Sequence, residues 1–270
     1  MAINLILDKI LITLKKEGVV GNGLTDSIFE IGEQNWFGDI QAIDYLEQLI
    51  NKYVKPKEKN NFFKDYELIK IDFKKNKNIS FKIVKLYYKI IFNFKTYKAI
   101  DFHGTIFSIE KDLNYPYFDN TKYDLVTNFG TTEHIFNQYE VYKTIHNLVK
   151  PNGFMMHSLP YQGAYNHGFY NYNPTFFFDL GKANNYIIGG LWITTIIDST
   201  PKIFNIHNMD GYNLFLKNNI HPKECYIFVL YKSPADRLKE FVIPQQGVYF
   251  DKDFSKESRQ LWDKYKVPNL

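Results

Sequence analysis

The stretch from Tyr123 to Pro160, YDLVTNFGTTEHIFNQYEVYKTIHNLVKPNGFMMHSLP, decides how the rest of the chain is read. Asp124 leads into a short apolar run, Leu125-Val126, the pattern of a buried strand that enters a loop. The loop Asn128-Phe129-Gly130-Thr131-Thr132 is small and polar, and Glu133-His134 follow it. Ile135, Tyr139, Tyr142, Ile145 and Val149 then recur at three- or four-residue intervals, which predicts a helix. Lys150-Pro151-Asn152-Gly153 stops that helix, and Phe154-Met155-Met156 begins another strand. Strand, polar loop, helix, tight turn and strand make one α/β crossover unit. Ligands of open α/β sheets sit beyond the carboxyl ends of the strands, so the loop after Val126 and Ser158-Leu159-Pro160 should border one cleft.

Outward from this unit the alternation continues. Residues 3–16 read as a short amphipathic helix, and Ser27 to Gly32 as a strand running into a glycine that permits a sharp turn. Residues 40–54 have helical spacing, 55–61 (KPKEKNN) form a charged connector, and 79–94 form a helix striped by Lys82, Lys85 and Lys89. Such a stripe suits a membrane surface or, as the plainer reading, one solvated edge of a packed helix. Lys98 to Asp101 and Ser108 to Asn114 are short strands with their loops. Pro174 opens a helix, residues 186–197 and 224–231 supply the last strands, and 256–264 read as a polar helix. The last strand is left free to run antiparallel. The class is α/β with a mainly parallel sheet, in a single domain spanning 1–270, with 39–95 a helical insertion or cap and 234–270 a C-terminal extension.

An apolar share of 45 % and an aromatic share of 18 % argue for a filled core rather than disorder. Net charge is only +4, and of 33 basic residues just Arg237 and Arg259 are arginine. Nucleic-acid readers favour the arginine fork, so nucleic acid is not expected as a partner. No uncharged apolar run approaches the ~18 residues a membrane span needs. Asp8 and Lys9 interrupt any secretory apolar core, and the expected location is the cytoplasm. The single cysteine, Cys225, lies in an apolar strand and reads as a small buried hydrophobe.

Two constellations could carry chemistry. Glu30 with Gly32, Asp101 and Asp112 fall just past consecutive strands, where an acid can accept ribose hydroxyls or face an adenine amino group. His134, His157 and His167 fall in or beside the expected cleft, with Glu133 adjacent to the first. A histidine is a natural proton acceptor near neutral pH, and Glu with two or three His can instead hold a divalent metal. His157 also reads as a core residue of its strand, and His146 as a helix-surface residue.

Residues 123–160 resemble the class I S-adenosylmethionine-dependent methyltransferases, and within them the ubiquinone-biosynthesis-type O-methyltransferases. Thr132-Glu133-His134 stands where that superfamily has Leu-Glu-His, and Val149-Lys150-Pro151-Asn152-Gly153 where it has Leu-Lys-Pro-Gly-Gly. The resemblance implies a Rossmann-like, mainly parallel seven-stranded sheet with flanking helices. It implies S-adenosylmethionine as cofactor, with Gly32 as first glycine of its loop and Glu30 as the preceding acid. Asp101 would hold the ribose, Asp112 and Leu113 border the adenine, and Asn128 and Phe129 line the cofactor. The chain departs from the family where Glu33-Gln34-Asn35-Trp36 replaces the later glycines. Roughly 65 residues also separate Gly32 from the next strand, far more than one crossover helix needs.

The reaction so implied is methyl transfer to an oxygen or nitrogen of a small molecule or sugar. His134 is the first choice of proton acceptor and His167 the second, while the aromatic run 161–172 shapes the acceptor pocket. Three other readings stay open: a metal-assisted RNA 2′-O-methyltransferase, a non-catalytic module that binds proteins through the cap, and a different nucleotide-using α/β enzyme such as a dehydrogenase. The last would want the full Gly-x-Gly-x-x-Gly fingerprint, which this chain lacks. In metal-binding relatives the motif is Glu-x-x-Glu-His. Gly130 stands in place of the first Glu, so a metal site would have to recruit His157 or His167.

Overall fold

The computed structural model describes residues 2–36, 41–197, 200–206, 215, 224–236 and 240–246. In chain order, β1 (Ala2–Ile3) leads into α1 (Leu5–Lys16), β2 (Ser27–Ile31) and β3 (Asn35–Trp36). Three helices follow, α2 (Gln41–Tyr53), α3 (Lys59–Lys74) and α4 (Ser80–Phe92), then β4 (Thr96–Asp101) and β5 (Ser108–Glu110). The unit read first comprises β6 (Tyr123–Phe129), a 3₁₀ turn (Thr132–His134), α5 (Gln138–Leu148) and β7 (Val149–Gln162). The chain closes with α6 (Pro174–Ala183), β8 (Ile187–Ile197), β9 (Thr200–Asn205) and β10 (Cys225–Lys232). The helix expected at 256–264 lies outside the described residues.

Eight strands form one sheet in the order β5-β4-β2-β6-β7-β10-β8-β9. The five from β5 to β7 run parallel, whereas β10 is antiparallel to both β7 and β8. Seven strands were expected; the eighth, β9, pairs antiparallel with β8. Its Pro201 and Lys202 blur the strand signal and are tolerated because an edge strand has one free side. Along the strands, neighbouring residues go to opposite faces. Leu125, Met156, Trp192 and Phe228 join one core with α1 to α4, and Val126, Met155, Ile193 and Val229 join another with α5 and α6. Both faces are therefore covered, which is why the strands read as continuous apolar runs.

Several boundaries differ from the sequence reading. The strand before the loop continues through Phe129, and Gly130 makes the turn at φ +73°. Ile135 precedes the helix, which starts at Gln138 with Asn137 as its cap. The connector at 55–61 already turns into α3, whose buried stripe is Phe62, Tyr66, Ile69 and Asp72. His146 is not on the surface: it is fully buried and bonds Tyr186 Oη through Nδ1 at 2.6 Å, beneath Phe241. Asn184 holds that segment by exchanging two hydrogen bonds with the Val242 backbone. The lysine stripe of α4 is ion-paired along a partly solvated edge, Lys82 with Asp72, Lys89 with Asp65 at 2.6 Å and, more deeply, Lys85 with the buried Glu33 at 3.1 Å. Among the described residues no helix is long and apolar enough to cross a membrane.

The amino ends of the central strands are tied by one carboxylate. Asp124 accepts from Ser27 N at 2.9 Å, Ser27 Oγ at 2.6 Å and Lys150 Nζ at 2.8 Å. Burial alone would raise its pKa, but Lys150 and Ser27 outweigh that and hold it below the usual range. At its other end β2 buries Glu30 completely, with Oε2 accepting from Gln34 N and the Tyr97 hydroxyl. Burial pushes this carboxyl up to about 7, against the downward pull of those bonds.

Removing the Asp124 carboxylate strands the Ser27 and Lys150 donors, so Asp124→Ala should lose about 1–3 kcal/mol in chemical denaturation at neutral pH. For Glu30 the folded state keeps a proton that the unfolded chain releases near 4.5. The associated stability is full below that pH and lost as pH rises towards 7. Glu30→Gln cannot ionise and should flatten the fall of Tm across that window; an unchanged slope would clear Glu30 as its source.

Candidate active site

The parallel strands end at one edge of the sheet, and there the loops after β2 and β6 touch. Gly32 has φ +78°, and a Cβ built on it would lie 2.0 Å from Thr131 Oγ1, so both conformation and space demand glycine. The residues that replace the family's later glycines fasten the turn instead. Glu33 N donates to Asp101 Oδ2 at 2.8 Å, and Gln34 Nε2 donates to Gly32 O at 3.1 Å. The buried Glu33 carboxylate accepts from Thr105 N at 2.6 Å and Thr105 Oγ1 at 2.9 Å while pairing with Lys85.

Beside this turn lies a cleft of about 390 Å³, lined by Asp101, Asp112, Leu113, Thr131, His134 and Ile135 among others. That volume falls within the range of about 300–1,000 Å³ usual for small-molecule sites. Asp101 uses Oδ1 for His103 N at 2.8 Å and Oδ2 for Glu33 N. A carboxylate offers about four acceptor directions, so two remain. Asp112 Oδ1 closes a turn by accepting from Asn114 N and Nδ2, both at 2.8 Å. Asn114 in turn accepts from Asn137 N at 2.9 Å, which fixes this wall to the start of α5.

Four residues expected around a cofactor sit beneath the cleft rather than in its wall. Glu30 supports the turn from the core, and Gly32 shapes it. Phe129 points to the α1–α4 face, 6.3 Å from Phe228 between ring centroids. Asn128 is fully buried on the other face. Its Nδ2 donates to Thr132 Oγ1 at 3.0 Å and to His157 Nδ1 at 3.1 Å, and its Oδ1 accepts from Thr132 N at 3.3 Å. His157 is a core residue as its strand position suggested, packed on Tyr142, Phe177 and Tyr231, and burial drives its pKa down to about 3.

His134 and His167 come together. Their rings are 4.9 Å apart, and their Nε2 atoms lie 3.8 and 3.4 Å from the same Glu133 Oε1. Glu133 is fully buried and neither carboxylate oxygen has a hydrogen-bond partner among the described residues. Burial pushes its carboxyl up to about 7, and burial with the neighbouring His167 lowers the pKa of His134. The loop bearing His167 is docked by Phe169 N and Tyr170 N, which donate to Glu133 O at 2.8 and 3.3 Å. Gly168 permits this approach, since a Cβ there would meet Glu133 O at 2.9 Å.

The aromatic run beyond His167 borders a second cavity of about 490 Å³, lined by Tyr170, Tyr172, Phe176, Asp179, Gln138 and further residues. Tyr172 Oη donates to Gln138 Oε1 at 2.6 Å. Sequence reasoning did not single out Thr131 or Asn114 as wall residues. The one available signal was their place just past a strand end.

Among curated proteins, none matches this sequence. Solved structures with a similar arrangement include the Haloferax volcanii Trm112 methyltransferase activator in complex with a protein described as a methyltransferase. That match has 9 % identity and TM-score 0.43, over 84 % of this chain and 93 % of that one. Another is a Galdieria sulphuraria protein described as a sarcosine dimethylglycine methyltransferase, with 12 % identity and TM-score 0.42 over 84 % and 85 %. A third is an S-adenosylmethionine-dependent methyltransferase of Clostridium acetobutylicum, with 13 % identity and TM-score 0.30 over 71 % and 97 %. These likenesses are too distant to carry an argument. The model of the methyltransferase domain family, by contrast, matches residues 21–183, more than half of the chain and the whole of the cleft described above. With that match on a Rossmann-like sheet, the chain belongs to the methyltransferase domain family of enzymes.

Proposed function

We propose that this enzyme transfers the methyl group of S-adenosylmethionine to an oxygen or nitrogen of a small molecule or sugar. The observation that carries the reading is the cleft of about 390 Å³ walled by Asp101, Asp112, Leu113, Thr131 and His134. The free acceptor directions of Asp101 suit the two ribose hydroxyls, and Leu113 offers an apolar edge to the adenine. Glu33, Gln34 and Lys85 make the turn after β2 rigid through side chains, where relatives rely on glycines. The reaction is an in-line displacement: the methyl–sulfur bond breaks as the acceptor's bond to the methyl carbon forms. The protein's main contribution is alignment, which supplies several kcal/mol.

A hydroxyl acceptor must also lose a proton. His134 lines the cleft, is half-exposed, and keeps a pKa below its ordinary value, so it is neutral and able to accept at pH 7. His167 stands behind it as second acceptor across the shared Glu133 carboxylate. The aromatic run 161–172 supplies the acceptor's surroundings.

Calorimetric titration with S-adenosylmethionine and S-adenosylhomocysteine is expected to give saturable binding; no heat from either at millimolar concentration would sink the proposal. Asp101→Ala should weaken that binding at least about tenfold, since it removes charge-assisted bonds worth about 1.5–3 kcal/mol. His134→Ala should leave cofactor binding intact and lower turnover about a hundredfold, the lower range for general-base catalysis. Unchanged turnover in that variant would strike His134 from the mechanism.

A further inference from the structure

Glu133 poses a problem that the cofactor cleft does not answer. A carboxylate taken wholly out of water needs donors or a counter-charge, because leaving it bare is costly. Here both oxygens lack hydrogen-bond partners among the described residues, and the Nε2 atoms of two histidines lie 3.8 and 3.4 Å from Oε1. All three side chains offer a ligand atom, and these atoms lie within 4.8 Å of one another. Metal–ligand bonds of about 2.0–2.2 Å separate tetrahedral donors by about 3.4 Å. The observed separations of 3.4 and 3.8 Å from Glu133 Oε1 are therefore close to those of a formed site.

We propose that Glu133, His134 and His167 bind a divalent first-row transition ion, with positions left open on the side of the cleft. Two imidazoles and one carboxylate suit zinc, cobalt, manganese or iron, whereas magnesium and calcium prefer oxygen ligands throughout. Glu133 is the anchor from the core, and the histidine side chains are 44 % and 35 % exposed, so solvent or a substrate oxygen can reach the ion. The sequence places the two histidines 33 positions apart, but the bonds from Phe169 N and Tyr170 N to Glu133 O bring the second beside the first. Gly168 lets that happen without a clash. His157, the other histidine considered for such a role, is tied to Asn128 in the core and takes no part.

The site stands independently of the methyl-transfer reading, because the ion is detected without cofactor. Where both hold, an acceptor hydroxyl in an open position of the ion gives its proton to water, and the two Nε2 atoms serve as ligands rather than as bases. A chelator then abolishes turnover, whereas a free imidazole base is indifferent to it.

The test is a titration of the chelator-treated full chain with cobalt(II) chloride, followed by calorimetry and visible absorption. One cobalt per chain at micromolar affinity or tighter is expected, displaced by zinc and not by millimolar magnesium. His167→Ala and Glu133→Gln should each weaken binding at least about tenfold, the lower end of what losing even a supporting residue costs such sites. His103→Ala, an exposed histidine outside the cluster, should leave it unchanged. Because it removes a buried carboxyl that has no hydrogen-bond partner among the described residues, Glu133→Gln should keep or raise the Tm of metal-free protein and lose the rise that cobalt gives the parent. Should that variant fail to fold, His167→Ala on its partly exposed loop gives the same reading. No saturable cobalt binding below about millimolar, or equal affinity in both variants, overturns the proposal and leaves the cofactor titration to be judged by itself.

Discussion

The sheet reverses its strand order beside β2, and the site depends on that reversal. From β2 the chain crosses to β4 and then β5 on one side, then returns over β2 to place β6 on the other. The crossovers thus diverge, and the carboxyl ends of β2 and β6 are left with an opening between their loops. Gly32 and Thr131 meet there so closely that a single Cβ would not fit. The wall of the cleft follows from this edge: Asp101 comes from β4 next door, Asp112 from the loop after β5, and His134 from the turn after β6.

Polar groups at this edge divide into those that build the cleft and those that face it. Glu33 is spent on Thr105 and Lys85, Asn128 on Thr132 and His157, and Glu30 on Gln34 and Tyr97. Each is buried, and each answers a backbone or side-chain donor that the loop would otherwise leave bare. This explains how the turn after β2 keeps its shape with one glycine where relatives use several. Side-chain amides and carboxylates replace backbone freedom, at the cost of a turn that is more tightly specified.

The fold was legible because burial on both faces writes itself as apolar runs, as in Leu125-Val126 and Tyr226 to Tyr231, separated by helical periods. That Asp101, Asp112, Leu113 and His134 would gather beyond the strand ends was legible too, since position just past a strand is a property of sequence. What escaped was set by tertiary contact. His146 sits on a helix whose outward face Tyr186 and Phe241 cover from far along the chain. Phe129 belongs to the strand rather than the loop, and the period of two sends its ring away from the cleft. The β9 strand carries a proline and lysine that an edge tolerates and a pattern search rejects.

The pairing of His134 with His167 was the least legible feature and has the simplest cause. Glu133 sits in a turn that leaves its backbone carbonyl pointing outward while its side chain goes into the core. Two amides of the returning loop take that carbonyl, and they can do so only because Gly168 has no side chain to hold them off. One residue therefore fixes both the place of the second histidine, through its backbone, and the charge that both histidines face, through its carboxylate. His134 belongs to this cluster and lines the cleft of about 390 Å³ as well. The histidine cluster and the cleft thus meet at a single short turn, and its geometry is set from the core rather than from the surface.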